Sequence, residues 1–145
     1  MQEYADRGVF RGFRATPGSR GRVEYQFTWL FRRPMSAVFD PRRRVLTFAA
    51  LFPGAGASKD MSRGLRSLAG SRGGKDQPAH KRIDARRARV TSAMRQGDLS
   101  LAIQVRGANH PYAVRRVLNL INELFLSLHD EYPGYLVERF GLSTE

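Results

Sequence analysis

The sequence predicts an α+β fold in which a mostly antiparallel, five-stranded sheet is covered by a long C-terminal helix. Two observations support this prediction. Apolar and polar residues alternate in several short runs separated by turn residues, as expected for half-buried strands. A later segment repeats its apolar residues every three or four positions, which is typical of an amphipathic helix. Because the connections between neighbouring strands are short, we expect them to pair antiparallel.

Residues 1–22 are predicted to form a disordered basic arm. Five arginines alternate there with glycine and proline, and the apolar residues show no steady period. The remaining residues, 23–145, are predicted to form a single α+β domain.

Three strands are predicted after this arm. In Val23–Phe31, apolar and aromatic side chains share one face and polar side chains the other. Ser36–Phe39 and Val45–Leu51 are two further runs rich in strand-forming residues. Between them, Asp40–Arg43 is predicted to form a turn, because Pro41 presets the backbone dihedral that a turn requires.

A helix and a β-hairpin are predicted in the middle of the chain. Ser58–Leu68 has apolar residues at helical spacing. Ile83–Met94, best formed over Arg87–Met94, is predicted to be the fourth strand, and Leu99–Val105 alternates as the fifth. Gln96–Asp98 between them is predicted to form a hairpin turn.

The C-terminal part carries the strongest periodic pattern in the sequence. A long helix is predicted to follow Asn109 or His110, and a second short helix, Tyr135–Phe140, is predicted after the Pro133-Gly134 break. The apolar stripe of the long helix comprises Val114, Val117, Leu118, Ile121, Leu124, Phe125 and Leu128. The predicted order of elements is therefore β-β-β-α-β-β-α.

This order resembles that of the bacterial type III secretion chaperone-like domains, including the YbjN group. The resemblance covers residues 23–132 and rests on the three-strand block, the helix around Met61–Leu68, the hairpin 87–105 and the helix 112–132. Domains of this kind have an antiparallel sheet split by one helix, and they often form dimers. The resemblance implies a non-enzymatic interaction module.

Composition restricts the function further. The chain contains no cysteine, which excludes disulfides, thiolate metal sites and cysteine nucleophiles. Its three histidines are isolated from one another, and no serine lies in a nucleophile-elbow motif. We therefore expect no enzyme activity, metal, cofactor or small-molecule substrate. We also expect a cytoplasmic protein without a membrane partner, because no apolar stretch suits a signal peptide or a membrane span.

The net charge of +12 is concentrated in residues 1–110, which hold 22 Lys and Arg against 8 Asp and Glu. The candidate polyanion-binding residues lie in a predicted turn and at the start of a predicted strand: Arg42, Arg43, Arg44, Arg87 and Arg89. Arg87 and Arg89 alternate with apolar residues and are expected to project together from the outer face of the sheet. This cluster favours a nucleic-acid-binding module that contacts the phosphate backbone.

The C-terminal helices are more apolar than a helix that covers a sheet on one side needs to be. The excess residues form a candidate surface for a homodimer or a protein partner: Leu120, Leu126, Tyr132, Tyr135, Leu136 and Phe140. We therefore expect first a non-catalytic, chaperone- or adaptor-like interaction domain, dimeric through its C-terminal helix. The nucleic-acid-binding module is the alternative.

Overall fold

The computed structural model describes residues 1–30, 33–74 and 76–141. The strands are β1 (Arg11–Pro17), β2 (Val23–Thr28), β3 (Pro34–Asp40), β4 (Val45–Phe52), β5 (Ala88–Arg95) and β6 (Asp98–Val105). The helices are α1 (Gln2–Asp6), α2 (Lys59–Ser71), α3 (His110–Glu131) and α4 (Pro133–Phe140). Phe31, the last residue of the first predicted strand, lies outside the described residues.

The strands form one antiparallel sheet in the order β1-β2-β3-β4-β6-β5. This confirms the α+β class and the antiparallel pairing. The predicted hairpin between β5 and β6 turns at Gln96 and Gly97, both of which have a positive φ, 53° and 82°. A two-residue turn of this kind matches the twist of the flanking strands, so it sets the register in which Arg95 pairs with Asp98.

The prediction of five strands is wrong by one, and the element order changes with it. Residues 1–22, expected to be a disordered arm, contain α1 and β1, and β1 pairs antiparallel with β2. Phe10 explains why this segment is ordered: its side chain is only 5% exposed and its ring lies 4.5 Å from that of Phe27. Burial of a phenylalanine side chain stabilises the folded state by about 1.5–3 kcal/mol. An expectation of disorder that rests on overall composition does not include this contribution of a single residue.

Helices α2, α3 and α4 pack on one face of the sheet. The inward-facing residues predicted for β6, Leu99, Leu101, Ile103 and Val105, are all buried. They meet the buried stripe of α3, which includes Val117, Ile121, Leu124 and Leu128. The opposite face of β4, β6 and β5 borders an open depression, so this part of the sheet is covered on one side only.

Within the described residues, no helix is both long enough and apolar enough to cross a membrane.

Candidate functional site

Most of the predicted C-terminal partner surface lies inside the protein. Leu120, Leu136 and Phe140 are buried, at 2%, 0% and 3% exposure, and these three residues are therefore wrong as surface candidates. Tyr132 and Tyr135 are half-buried, and Leu126 alone among the six predicted residues is well exposed, at 52%.

The reason is that α4 folds back onto the core. The Phe140 ring lies 6.0 Å from that of Phe52 on β4 and 5.7 Å from that of Phe125 on α3. The Tyr135 hydroxyl donates a hydrogen bond of 2.7 Å to the carbonyl of Pro53, and burial raises its pKa. The extra apolar residues of the C-terminal helices therefore fill the protein's own core.

The arginine turn is exposed, as its position between two strands predicts. The backbone N–H groups of Arg42 and Arg43 donate to the Asp40 carboxylate, at 3.0 and 3.4 Å. Arg44 has a φ of 54°, which closes the turn before β4 begins. This Asx-type turn holds the backbone while all three arginine side chains face solvent.

Arg87 and Arg89 do not belong to one site, which corrects the prediction that they project together. Arg87 precedes β5, and its guanidinium lies 3.7 Å from the centre of the Tyr112 ring at the start of α3. It also donates to Asn109 at 3.1 Å. Arg89 lies within β5 and lines the open depression on the outer face of the sheet.

Other cations near Arg87 are likewise held by the protein itself. Arg72 is buried and paired with Glu123 of α3, and burial lowers the pKa of its guanidinium. Lys81 contacts the same carboxylate at 3.3 Å. Arg116 donates to the carbonyl oxygens of Ala79 and His80. These contacts attach the segment between α2 and β5 to α3.

Three arginines surround the outer-face depression, which has a volume of about 430 Å³. Arg43 comes from the β3–β4 turn, and Arg89 and Arg95 come from opposite ends of β5. Between them the sheet presents small side chains such as Thr47 and Thr91. The depression is therefore shallow and uncharged at its centre, with guanidinium groups at its rim.

A second basic depression lies on the other side of β5, against α2. This groove has a volume of about 550 Å³, and its cations are Lys59, Arg63 and Arg66. Ser92 of β5 borders both depressions, and its hydroxyl accepts a hydrogen bond of 3.3 Å from Arg66. The two depressions therefore meet at β5.

We call these six side chains the β5 surface: Arg43, Lys59, Arg63, Arg66, Arg89 and Arg95. All six are exposed, and in the part of the chain that the structure describes none of them forms an ion pair with a carboxylate. Asp98 is the register partner of Arg95, but its carboxylate accepts the backbone N–H of Gly54 at 2.8 Å. Six unneutralised cations on adjoining surfaces suit carboxylate or phosphate groups of a ligand.

Sequence reasoning missed four members of this surface. Lys59, Arg63 and Arg66 recur at helical spacing, opposite the buried Met61 and Leu65 of α2. Arg95 shares strand parity with Arg89. The signal for each was present in the sequence, but only the packing of α2 beside β5 joins the two sets.

Comparisons of the chain with protein-family models, with curated proteins and with solved structures find no match. Among the described residues, no three His, Asp or Glu side chains lie together in a way that could hold a metal ion.

Proposed function

We propose that this chain is a non-catalytic, adaptor- or chaperone-like interaction domain that binds an acidic segment of a partner protein on its β5 surface. The observation that carries this proposal is the convergence around one strand of six exposed cations that have no carboxylate partner among the described residues. A surface of this charge attracts an acidic partner and raises its association rate. The partner surface first expected on the C-terminal helices moves to β5 because three of those six residues are buried and two are half-buried.

Two features favour a protein partner. In the part of the chain that the structure describes, the side chains that line the two depressions include no aromatic ring on which a nucleic acid base could stack. In addition, β5 is the last strand of the sheet, and a strand edge offers backbone hydrogen bonds that suit another polypeptide. The resemblance to the type III secretion chaperone-like domains agrees with a protein-interaction role.

Nucleic-acid binding is the second candidate function. It is favoured by the exposed turn Arg42–Arg44, which stands beside the outer-face depression and contributes Arg43 to it. Guanidinium groups on a turn can reach a phosphate backbone without reading bases. Such binding would weaken steeply as salt increases, because each phosphate contact releases counterions.

The test compares two labelled probes by fluorescence anisotropy. One is a peptide of alternating glutamate and threonine, about eight residues long, which spans about 26 Å when extended. The other is a single-stranded oligonucleotide. We expect the peptide to bind, and a matched peptide of alternating glutamine and threonine not to bind.

A triple variant locates the site. Arg63→Gln, Arg89→Gln and Arg95→Gln together should weaken peptide binding about two- to fivefold. Glutamates that alternate with threonine share one face of an extended peptide, so they meet either Arg89 and Arg95 or Arg63, and each exposed ion pair is worth roughly 0.5 kcal/mol. The control carries Arg11→Gln, Arg14→Gln and Arg20→Gln, which remove the same charge. These three residues lie on or beside β1, at the opposite edge of the sheet. Equal losses in the two variants would show that only net charge matters and would refute the proposal. Binding of the oligonucleotide alone would support the second candidate.

A further inference from the structure

The two edges of the sheet differ in their ability to accept another strand. At one edge, β1 has a register shift between Arg11 and Arg14 and ends at Pro17, and such irregularities hinder further pairing. At the other edge, β5 pairs with β6 without interruption over Ala88–Arg95 and contains no proline. The β5 edge is therefore regular over eight residues.

The hairpin register determines which backbone groups of β5 face this edge. Arg95 and Asp98 flank a two-residue turn, and residues in that position exchange both of their backbone hydrogen bonds. Alternate residues on β5 then repeat this arrangement with β6. The N–H and C=O groups of Val90, Ser92 and Met94 consequently point away from β6, toward the edge.

Open space borders β5 between Ala88 and Ser92. The groove that contains Lys59, Arg63 and Arg66 lies beside Ser92. A smaller depression of about 220 Å³ lies beside Ala88 and Val90, with the C-terminal turn of α2 as its other wall. Val90, Ser92 and Met94 are half-buried rather than buried, as expected for a strand with one free side.

The charges on both sides of the edge select the occupant. Side chains of a strand added here would alternate between the outer face, which carries Arg89 and Arg95, and the groove, which carries Lys59, Arg63 and Arg66. Acidic side chains on either face would meet a cation. A second copy of this chain would bring two sets of these cations together, so charge repulsion opposes self-pairing.

We propose that an extended, acidic segment of a partner protein adds to the sheet as a seventh strand along the free edge of β5. This inference rests on the proposed function and specifies how the partner binds. Backbone hydrogen bonds to Val90, Ser92 and Met94 supply the pairing, and the flanking cations supply the preference for Asp and Glu. Arg89 and Arg95 stand about 20 Å apart at a strand rise of about 3.3 Å per residue, so a segment that spans both needs about seven extended residues.

Amide hydrogen exchange, measured by NMR with and without the glutamate–threonine peptide, tests this arrangement. In the free protein, the amides of Thr91 and Ala93 should be protected by β6, while those of Val90, Ser92 and Met94 exchange quickly. Saturating peptide should slow exchange at these three amides by tenfold or more and leave Thr91 and Ala93 unchanged.

Two substitutions at Ser92 provide an independent test. Ser92→Pro removes an N–H that the hairpin with β6 does not use, and proline is tolerated on edge strands. It should weaken peptide binding at least tenfold. Ser92→Ala removes only the hydroxyl that accepts from Arg66, and it should bind within about twofold of the parent chain, since that bond is exposed.

The outcomes separate the two proposals. Arginine-dependent binding without protection of Val90, Ser92 and Met94 would refute strand addition and leave the proposed function intact. Absence of peptide binding would refute both. Protection that appears without peptide and grows with protein concentration would show that a second copy occupies the edge, and would overturn the assignment to an acidic partner. If Ser92→Pro does not fold, the exchange experiment on the parent chain decides.

Discussion

The segment from residue 72 to residue 87 and the β5 surface are both rich in cations, yet the surroundings of those cations differ. In the first region, Arg72 pairs with Glu123 and Arg87 stacks on Tyr112. Arg116 of α3 donates to backbone carbonyl groups of the same segment. In the second, Arg89 and Arg95 face solvent without a carboxylate partner among the described residues. Where the protein supplies partners for a cation, the cation stabilises the fold; where it supplies none, the charge remains available for a ligand.

The largest expected effect is on the buried ion pair of the first region. Glu123→Gln leaves the guanidinium of Arg72, a residue that is only 8% exposed, without its counter-charge. We expect the free energy of unfolding to fall by about 2–3 kcal/mol, measured by urea denaturation. Glu138→Gln, at an exposed position of α4, is the control and should change stability by less than about 0.5 kcal/mol. Equal effects of the two substitutions would mean that the Arg72 pair does not stabilise the fold.

The hydroxyl of Tyr112 should have the next largest effect. It accepts from the backbone N–H of Asp84 at 2.9 Å and donates to the carbonyl of Arg82 at 3.1 Å. Tyr112→Phe keeps the ring under Arg87 but leaves both backbone groups unpaired, and should cost about 1–2 kcal/mol. The Asp84 amide should also exchange faster by NMR.

Tyr132→Phe is the matched control for this substitution. Within the described residues, the Tyr132 hydroxyl makes no hydrogen bond to the protein. A loss of stability in Tyr132→Phe as large as that in Tyr112→Phe would contradict the anchoring role of the Tyr112 hydroxyl.

Arg87 and Arg89 test the comparison most directly, because they lie two residues apart. Arg87→Gln removes the stacking on Tyr112 and the bond to Asn109, and we expect a loss of about 0.5–1 kcal/mol in thermal or urea unfolding. Arg89→Gln should leave stability within about 0.5 kcal/mol of the parent chain and weaken peptide binding instead. The reverse pattern would mean that the two residues have been assigned to the wrong regions.

The smallest effect concerns the acid side of the stability curve. The backbone N–H of Arg86, and then its guanidinium, hold the pKa of Asp84 below its usual value. A lowered pKa means that the ionised carboxylate stabilises the folded state above the pKa of the unfolded chain, about 3.9, and that this contribution is lost as pH falls through the folded-state value. Asp84→Asn should therefore lose less stability than the parent chain between about pH 5 and pH 2.

Asp130→Asn is the control for this pH dependence. Asp130 is exposed, and in the described part of the chain its carboxylate forms no ion pair. The free energy of unfolding of the Asp130→Asn variant should follow that of the parent chain across the same pH range. If Asp84→Asn also follows the parent chain, the contacts of Asp84 with Arg86 do not contribute to acid sensitivity.

The local pattern of apolar residues was sufficient to predict the elements in which that pattern is unbroken. The helical spacing of Val117, Ile121 and Leu124 predicted α3, and the alternation in Leu99–Val105 predicted β6, because each pattern puts apolar side chains on one face of its own element. The turn residues Gln96 and Gly97 likewise predicted that β5 pairs with β6, because a short turn depends on the local sequence alone.

The tertiary structure decided which surface each residue ended on. Phe10 recruits a glycine- and arginine-rich segment into the sheet, although nothing in residues 1–22 alone predicts a strand. Leu120 and Phe140 were correctly predicted to be apolar in excess of one stripe, but both lie in the protein's own core, Phe140 because α4 folds back against Phe125. Apolar surface has no preference between a partner and the protein's own core, so only chain topology settles that choice.

The same division holds for charge. The sequence by itself determined that the chain is basic, that its cations are concentrated in residues 1–110, and that α2 and β5 each carry arginines on one face. The tertiary structure alone decided that Arg87 meets Tyr112 while Arg89 meets solvent, and that α2 lies beside β5. The physical reason is that a charge is neutralised by whatever lies within a few ångströms in space, and neighbours in space need not be neighbours in sequence.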